Sequence, residues 1–149
     1  MKLLLVCSSG GHLQEMLALA PAWQELDPTW VTLRGEDTEY LLRSSQVVWA
    51  YGPTNRSLVN LVRNLGVALR TLRRVDPDVV LSTGAALAVP FFAVARLTGR
   101  RTVYVESYTR REALSLSGRM VYPLADVFFV QWPELAARRS RARYAGSVL

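Results

Sequence analysis

Cys7-Ser8-Ser9-Gly10-Gly11-His12 is the stretch of sequence that decides the fold. It follows an apolar run at residues 3–6, and a short apolar run of this kind is typical of a buried parallel strand. The residues after it place apolar side chains at the spacing of one face of an amphipathic helix: Leu13, Met16, Leu17 and Ala20. The stretch therefore predicts a strand that passes through a turn of small residues directly into a helix.

This turn has the properties of an anion-binding loop. The first N–H groups of a helix lack intrahelical partners and lie at the positive end of the helix dipole. Ser9, Gly10 and Gly11 would leave these groups unobstructed, and His12, the only histidine of the chain, ends the turn. The alternative is a tight strand-to-helix connection that merely needs two glycines. The serines before the glycines and the histidine after them favour a functional loop.

Further along the chain, strand-like and helix-like segments alternate. Apolar runs predict strands at residues 30–33, 47–50, 79–82, 102–106 and 127–131. Helical or buried segments are expected at residues 57–74, 85–98 and about 111–124, with a further helix after Trp132 and a last short strand or tail at residues 144–149. This alternation predicts one α/β domain over residues 1–149, a doubly wound parallel sheet with helices on both faces. In such sheets, ligands bind beyond the carboxyl ends of the strands.

Composition excludes several classes of function. With one cysteine and one histidine, the chain can form no internal disulfide, and it lacks the residues for a transition-metal site or a cysteine–histidine nucleophile pair. The glycine turn lacks the third glycine of a dinucleotide fingerprint and the lysine of a P-loop. No apolar stretch has transmembrane length and no signal-peptide pattern is present, so a cytoplasmic location is expected.

The net charge of +6 comes almost entirely from arginine and favours anionic partners. The arginine clusters are not interleaved with aromatic residues, so nucleic acid is not expected. Within the helix at residues 57–74, a stripe of leucines at 58, 61, 65, 69 and 72 is predicted to face the core. Arg56, Arg63, Arg70 and Arg74 fall on the opposite side. This basic side is either a solvated surface or a face that lies on an anionic membrane.

Five motifs, in order along the chain, resemble one protein family. They are Ser-Gly-Gly-His-Leu-x-Glu-Met at residues 9–16, Asn-Arg at 55–56, Ser-Thr-Gly-Ala at 82–85, Val-Glu-Ser-Tyr-Thr-Arg at 105–110 and Val-Gln-Trp-Pro-Glu-Leu at 130–135. The chain resembles the accessory subunit of split GT-B glycosyltransferases. One branch is the eukaryotic membrane-anchoring subunit of the UDP-GlcNAc transferase that extends dolichol-diphosphate GlcNAc. The other contains bacterial relatives in capsule and exopolysaccharide assembly.

The resemblance implies a division of labour between two polypeptides. This chain would be the N-terminal, acceptor-side half of a GT-B enzyme, and it would hold a polyprenyl-diphosphate-linked saccharide. A catalytic GT-B C-terminal-type subunit would bind the UDP-sugar, so this chain would itself bind no cofactor and no metal. The eukaryotic subunit has an N-terminal membrane helix that is absent here. Membrane association is therefore expected to be peripheral, on the inner face of the cell membrane and through the basic surface of Arg63, Arg70 and Arg74.

Two residues are candidates for catalysis. Histidine exchanges protons near neutral pH, so His12 could act as the base that activates the acceptor hydroxyl. Glu106, at the end of the fifth strand, could orient His12, accept a hydrogen bond from a sugar hydroxyl or act as the base itself. The alternative is that Glu106 is a helix-cap or salt-bridge residue.

The remaining candidates are binding residues. Those expected to contact the acceptor or its phosphates are Ser9, Gly10, Gly11, Asn55, Arg56, Thr83, Gly84 and Arg110. Trp132, Val148 and Leu149 are expected at the interface with the partner, although Trp132 could equally lie in the core. Two other functions stay open: a non-catalytic scaffold that recruits the catalytic subunit to the membrane, and a stand-alone nucleotide-binding protein of Rossmann-like fold.

Overall fold

The computed structural model describes the chain over residues 1–149. Its strands are β1 (Leu3–Cys7), β2 (Thr29–Leu33), β3 (Gln46–Ala50), β4 (Val79–Gly84), β5 (Arg101–Val105), β6 (Val127–Val130) and β7 (Ala142–Tyr144). Its α-helices are α1 (Gly11–Ala18), α2 (Ala20–Trp23), α3 (Glu36–Leu41), α4 (Leu58–Val75), α5 (Ala88–Leu97), α6 (Leu116–Val121) and α7 (Pro133–Ala137). A 3-10 turn at Gln24–Leu26 follows α2. None of these helices is both long enough and apolar enough to cross a bilayer.

All seven strands form one parallel sheet in the order β3-β2-β1-β4-β5-β6-β7. The chain first builds outward from β1 to β3 and then returns through α4 to β4 on the other side of β1. The loops after β1 and β4 therefore diverge, and they leave a crevice at the carboxyl ends of these two neighbouring strands. The predicted doubly wound parallel sheet is confirmed. The ends of β1 to β6 differ from the expected ones by at most two residues, and β7 begins earlier than the strand or tail expected at 144–149.

The alternation of side chains along β1 sorts the core into two layers. Leu4 and Val6 lie in the larger cluster, which α4 and α5 cover. Phe91 and Phe128 are members of the same cluster. Leu3, Leu5 and Cys7 point to the other face and pack in a smaller cluster, whose members also include Leu13, Met16 and Trp30. Because both faces of β1 are buried, its apolar run is continuous rather than alternating with polar residues.

The orientation of α4 differs in part from the one predicted, since Leu72 is buried and Leu65 packs against the core as expected. Leu58 and Leu69 of the expected core stripe are 78% and 42% exposed. The buried face combines Leu72 with residues outside the predicted stripe: Asn60, Asn64, Val67, Ala68 and Thr71. The two asparagines explain the rotation, because their amides satisfy backbone groups of the preceding loop. Asn64 accepts a hydrogen bond from Tyr51 N–H (2.8 Å) and donates one to Tyr51 O (2.9 Å), while Asn60 donates to Pro53 O (2.8 Å).

The helix expected at about residues 111–124 is shorter than predicted, because α6 begins only at Leu116. Ser115 caps it by accepting a hydrogen bond from Gly118 N–H at 2.9 Å. Residues 107–115 form a loop over the carboxyl end of β5 instead, and this loop is fastened to buried carboxylates. It consequently becomes part of the crevice wall.

One region of the sheet has little helical cover. On the face that carries α1 and α2, strands β4, β5 and β6 leave an apolar groove of about 340 Å³. Leu81, Val103, Val105 and Phe129 line its floor, and the C-terminal residues 145–148 line one side. The tail is held there by Gln131, whose side-chain oxygen accepts a hydrogen bond from Val148 N–H at 3.0 Å.

Candidate functional site

A cavity of about 560 Å³ opens at the carboxyl ends of the strands. It collects residues from the loops after β1, β3, β4 and β5 and from the start of α6, and these include His12, Arg56, Ala85, Arg110 and Leu116. Segments far apart in sequence meet here because parallel strands all present their carboxyl ends at the same edge of the sheet. The cavity is therefore the candidate acceptor site.

His12 is held in a defined orientation. Its Nδ1 lies 2.7 Å from the carbonyl oxygen of Thr83, and in return the Thr83 hydroxyl donates to His12 O at 2.7 Å. Because a carbonyl oxygen can only accept, Nδ1 must carry a hydrogen. In the neutral ring, Nε2 is then the nitrogen with a free lone pair, and no protein group is bonded to it. The imidazole can therefore accept a proton from a group in the cavity.

Gly84 makes this orientation possible. Its φ of +106° is unfavourable for any residue with a side chain, and a Cβ at this position would lie 3.0 Å from the His12 ring. Thr83 and Gly84 are themselves buried beneath the imidazole. They do not line the cavity, so their geometry favours positioning His12 over the direct acceptor contact expected for them.

The glycine turn has the predicted local structure. Gly10 adopts a φ of 72° before α1, and no side chain caps the helix. The first intrahelical bond is donated by Gln14 N–H to Gly10 O at 3.1 Å, so the N–H groups of Gly11 and His12 precede the helical ladder. The Gly10 N–H contacts the Asp37 carboxylate at 3.4 Å. Ser9, Gly10 and Gly11 do not line the cavity itself, which His12 joins from this turn.

Glu106 lies below the cavity and is bonded to the loop that follows β5. It is 1% exposed, and its carboxylate accepts hydrogen bonds from Ser107 N–H (3.0 Å), Ser115 N–H (2.9 Å) and the Ser115 hydroxyl (3.0 Å). A side chain on Gly118 would collide with the carboxylate, so that glycine makes room for it. Because its oxygens are buried and engaged by the loop, Glu106 matches the alternative of a structural cap. The catalytic role expected of Glu106 stays a prediction, and the geometry favours a loop anchor.

Two arginines give the cavity its charge. Arg56 and Arg110 are exposed, line the cavity and form none of the ion pairs of the protein. Arg56 has a φ of 53°, a left-handed conformation that is uncommon for a residue with a side chain. Asn55 lies beside it and also lines the cavity. One surface therefore carries a possible proton acceptor, the His12 imidazole, together with the Asn55 amide and the guanidinium groups of Arg56 and Arg110.

The far rim of the cavity is apolar. Leu116 and Met120 of α6 are 72% and 45% exposed there. Near Arg56, the first turns of α4 expose Leu58, Val59 and Val62. Exposed apolar side chains in this number beside a basic site are typical of a surface that contacts another molecule.

The residues expected at a partner interface lie apart from the cavity. Trp132 is half-buried and donates from Nε1 to Tyr108 O at 2.6 Å, while its ring packs against Tyr108 with centroids 5.0 Å apart. The Arg111 guanidinium lies 4.7 Å above the Trp132 ring, and Arg111 also pairs with Glu134 at 3.8 Å. Val148 lines the apolar groove, whereas Leu149 is 64% exposed.

Sequence reasoning missed several polar residues that build the site from below. Glu15, Ser107, Ser115 and Gln131 are buried or half-buried, and each bonds a loop at the carboxyl edge of the sheet. Glu15 occupies a core-facing position between Leu13 and Met16, and a carboxylate within an apolar helix face is the one signal that was available. Gln131 donates to Glu106 O at 3.0 Å and also fixes the C-terminal tail.

The chain is similar in sequence to proteins of one known family. Residues 39–148 match the family described as "Oligosaccharide biosynthesis protein Alg14 like". The UDP-N-acetylglucosamine transferase subunit ALG14 of Eremothecium gossypii is 42% identical over 125 residues, which cover 78% of this chain and 56% of that protein. The subunit of the same name from Rattus norvegicus is 30% identical over 181 aligned positions, covering 99% of this chain and 82% of that protein.

Solved structures share the fold at low sequence identity. MurG from Acinetobacter baumannii superposes with a TM-score of 0.78 at 17% identity, covering 99% of this chain and 45% of that chain. The UDP-GlcNAc 2-epimerase from Methanocaldococcus jannaschii superposes with a TM-score of 0.73 at 12% identity, covering 99% and 46%. The chain thus spans less than half of each of these proteins and just over half of the Eremothecium relative. Its fold is that of the N-terminal half of a GT-B glycosyltransferase, and by sequence it belongs to the family of Alg14-like oligosaccharide biosynthesis proteins.

Proposed function

We propose that this chain is the acceptor-side subunit of a UDP-GlcNAc transferase, one that extends a polyprenyl-diphosphate-linked saccharide in oligosaccharide or polysaccharide biosynthesis. Its relatives are named as subunits of a UDP-N-acetylglucosamine transferase, and its fold corresponds to less than half of the MurG chain. The observation that carries the proposal is the orientation of His12. The Thr83 carbonyl holds Nδ1, so Nε2 is left free in a cavity that Arg56 and Arg110 also line.

The arrangement suits a base-assisted transfer. The acceptor hydroxyl would give its proton to His12 Nε2 as its oxygen attacks the anomeric carbon of the UDP-sugar. The bond from that carbon to the UDP oxygen breaks in the same step, and UDP leaves with the bonding electrons. Arg56 and Arg110 would neutralise the diphosphate of the acceptor, and the exposed side chains of Leu116 and Met120 would contact the start of its lipid.

The second polypeptide is a catalytic subunit of GT-B C-terminal type that binds the UDP-sugar. In this proposal the chain itself carries neither nucleotide nor metal. Two surfaces support a contact with such a partner. The apolar groove below the C-terminal tail, which Val148 lines, is broad and only partly covered. Trp132 is half-buried at the same edge of the sheet as the cavity, where a second domain would close the cleft.

The membrane contact in this proposal is peripheral and uses α4, on the inner face of the cell membrane. Arg63, Arg70 and Arg74 are exposed on this helix, and Leu58, Val59 and Val62 extend outward from its first turns. Trp49 and Tyr51 lie in one groove with Arg70 and Arg74. Basic residues with aromatic rings at their side are typical of surfaces that lie at the headgroup level. Such a placement would bring the cavity to the depth of the acceptor diphosphate.

The test is reconstitution with a co-expressed subunit of GT-B C-terminal type. Transfer of labelled GlcNAc from UDP-GlcNAc to polyprenyl-diphosphate GlcNAc should require both polypeptides. Transfer by this chain alone would contradict the division of labour. Transfer that survives loss of the His12 imidazole would leave the chain as a scaffold that only recruits the catalytic subunit. Tight binding of UDP-GlcNAc to the isolated chain would instead support a stand-alone nucleotide-binding protein.

A further inference from the structure

A second buried carboxylate lies behind the cavity, and the proposed mechanism does not use it. Glu15 lies three positions after His12 on α1 and is only 3% exposed. Its helix neighbours Leu13 and Met16 are fully buried in the apolar layer between α1 and the sheet. Removing a carboxylate from water is costly unless its oxygens are well bonded, so an ionisable group here requires a physical reason.

One oxygen of Glu15 organises the loop that forms the cavity wall. Glu15 Oε1 accepts a hydrogen bond from Tyr108 N–H at 2.9 Å and another from the Ser107 hydroxyl at 3.1 Å. The Ser107 oxygen in turn accepts from Thr109 N–H at 3.3 Å and lies 3.1 Å from the Thr109 hydroxyl. Of these three consecutive loop residues, Ser107 and Tyr108 bond directly to one atom on α1, and Thr109 is joined to it through Ser107. Two of them, Ser107 and Thr109, line the cavity with His12.

The other oxygen, Glu15 Oε2, is buried and has no hydrogen-bond partner. Burial raises the pKa of Glu15, while the hydrogen bonds from Tyr108 and Ser107 and the nearby His12 oppose the rise and Glu106 adds to it. A carboxyl group that is buried in this way can hold the loop firmly, because water does not compete for the hydrogen bonds that it accepts.

We propose that Glu15 is a positioning residue that sets the loop at residues 107–109 against the imidazole of His12. The same helix carries both side chains, so the distance from Nε2 to the Ser107 and Thr109 hydroxyls is fixed by α1 rather than by the loop. Those hydroxyls would then orient the acceptor saccharide towards the base. The consequence for the acceptor rests on the proposed function, whereas the fastening of the loop does not.

Two variants distinguish the effect of the length of the Glu15 side chain from the effect of its charge. Glu15→Gln keeps the length of the side chain and an acceptor oxygen but removes the charge. Glu15→Asp keeps the charge but is one methylene shorter, so it draws back from Tyr108. The exposed carboxylate variant Glu25→Gln serves as the control. Amide exchange at Tyr108 in the isolated chain reports the loop contact, and the acceptor KM and kcat of the reconstituted pair report its consequence.

If Glu15 positions the loop, Glu15→Asp should speed Tyr108 exchange at least tenfold and raise the acceptor KM at least fivefold, with kcat changed less than threefold. Glu15→Gln and Glu25→Gln should both stay within threefold of the unaltered protein. The inference is overturned if exchange is unchanged in Glu15→Asp, if Glu15→Gln is as damaging as Glu15→Asp, or if exchange rises without any change in KM. If the unaltered pair transfers no sugar, the proposed function fails, and exchange alone decides whether Glu15 fastens the loop.

Discussion

His12 and Thr83 hold each other by two reciprocal hydrogen bonds of 2.7 Å, although 71 positions separate them in the sequence. One bond joins the His12 ring to the Thr83 carbonyl, and the other joins the Thr83 hydroxyl to the His12 carbonyl. Together they tie the start of α1 to the end of β4 at the point where the strand order reverses. The tie fixes which ring nitrogen can accept a proton, so the site is organised before any ligand enters.

Replacing His12 with glutamine should remove catalysis and leave folding intact. The glutamine amide can still donate to Thr83 O, but it cannot accept a proton from the acceptor hydroxyl. Loss of a general base typically lowers kcat by about 10²- to 10⁴-fold. Radiolabelled transfer by the reconstituted pair measures the rate, and thermal unfolding of the variant checks its fold. A kcat close to that of the unaltered pair would show that His12 is not the base.

Gly84→Ala should destabilise the protein by about 1–3 kcal/mol, because alanine must adopt a strained positive φ. Its methyl group would also press on the His12 ring, since a Cβ on residue 84 would lie only 3.0 Å from that ring. Gly66→Ala is the matched control, since a Cβ there meets nothing within 4 Å and alanine favours the interior of α4. The control should be stabilised by about 0.5–1 kcal/mol. Urea unfolding distinguishes them, and equal effects at the two glycines would refute the close-approach argument.

Glu106→Ala should lower the free energy of unfolding, and any loss of transfer activity should follow from that loss of stability. The substitution leaves the N–H groups of Ser107 and Ser115 without their acceptor, and the lost bonds to a charged group cost about 2–3 kcal/mol. Glu112→Ala, which removes an exposed carboxylate from the same loop, should be close to neutral. Denaturant midpoints of both variants test this. A Glu106→Ala protein of full stability that has lost all transfer would support a catalytic role for Glu106 instead.

The thiol of Cys7 should be inert in the folded protein. Burial raises the pKa of Cys7 to about 12 from an ordinary value of 9.0, and only the thiolate reacts readily. A thiol reagent at pH 8 should therefore label the chain only when urea unfolds it. The same shift has a stability consequence with a defined sign. Above pH 9 the unfolded thiol loses its proton while the folded one keeps it, so stability falls by up to about 1.4 kcal/mol per pH unit until pH 12.

Comparison with Cys7→Ala isolates this contribution from other groups that titrate in alkali. The unfolding free energy of the unaltered protein minus that of Cys7→Ala should become steadily less favourable as the pH rises from 9 to 12. A difference that stays constant across this range would show that the thiol ionises equally in both states.

Strands β1 to β6 could be predicted from sequence because each is a short, largely apolar run, and such a local pattern suffices. The position of His12 followed from the same logic, since a strand, a glycine turn and a helix must place it at the carboxyl edge of the sheet. The orientation of α4 did not follow. Leucine spacing favoured one face, but Asn60 and Asn64 turn inward to satisfy the loop after β3, and that need is visible only in three dimensions.

The role of Glu106 was hidden for a related reason. Its place at the end of β5 is the same for a catalytic carboxylate and for a loop anchor, and the partners that distinguish the two lie up to nine residues away. Glu15 and Gln131 are bonded to residues 93 and 17 positions distant. Buried polar groups of this kind are paired through tertiary contacts, so their partners are not encoded in local spacing.

The orientation of α4 leads to a prediction about membrane binding. Because Leu58, Val59 and Val62 face outward with Arg63, Arg70 and Arg74, the helix offers apolar and basic side chains to the same surroundings. Near an anionic surface each arginine contributes about 1 kcal/mol, so changing all three to glutamine should weaken vesicle binding about a hundredfold. Flotation with phosphatidylcholine vesicles, with and without phosphatidylglycerol, measures this binding at two salt concentrations.

The matched control changes three exposed arginines elsewhere, Arg101, Arg139 and Arg143, and thus alters the net charge equally. If α4 is the contact, the control should bind nearly as well as the unaltered chain, and binding should fall with added salt because the attraction is electrostatic. An equal loss in both triple variants would mean that net charge alone drives association. Equal binding to neutral and anionic vesicles, or no binding to either, would remove α4 as the membrane face.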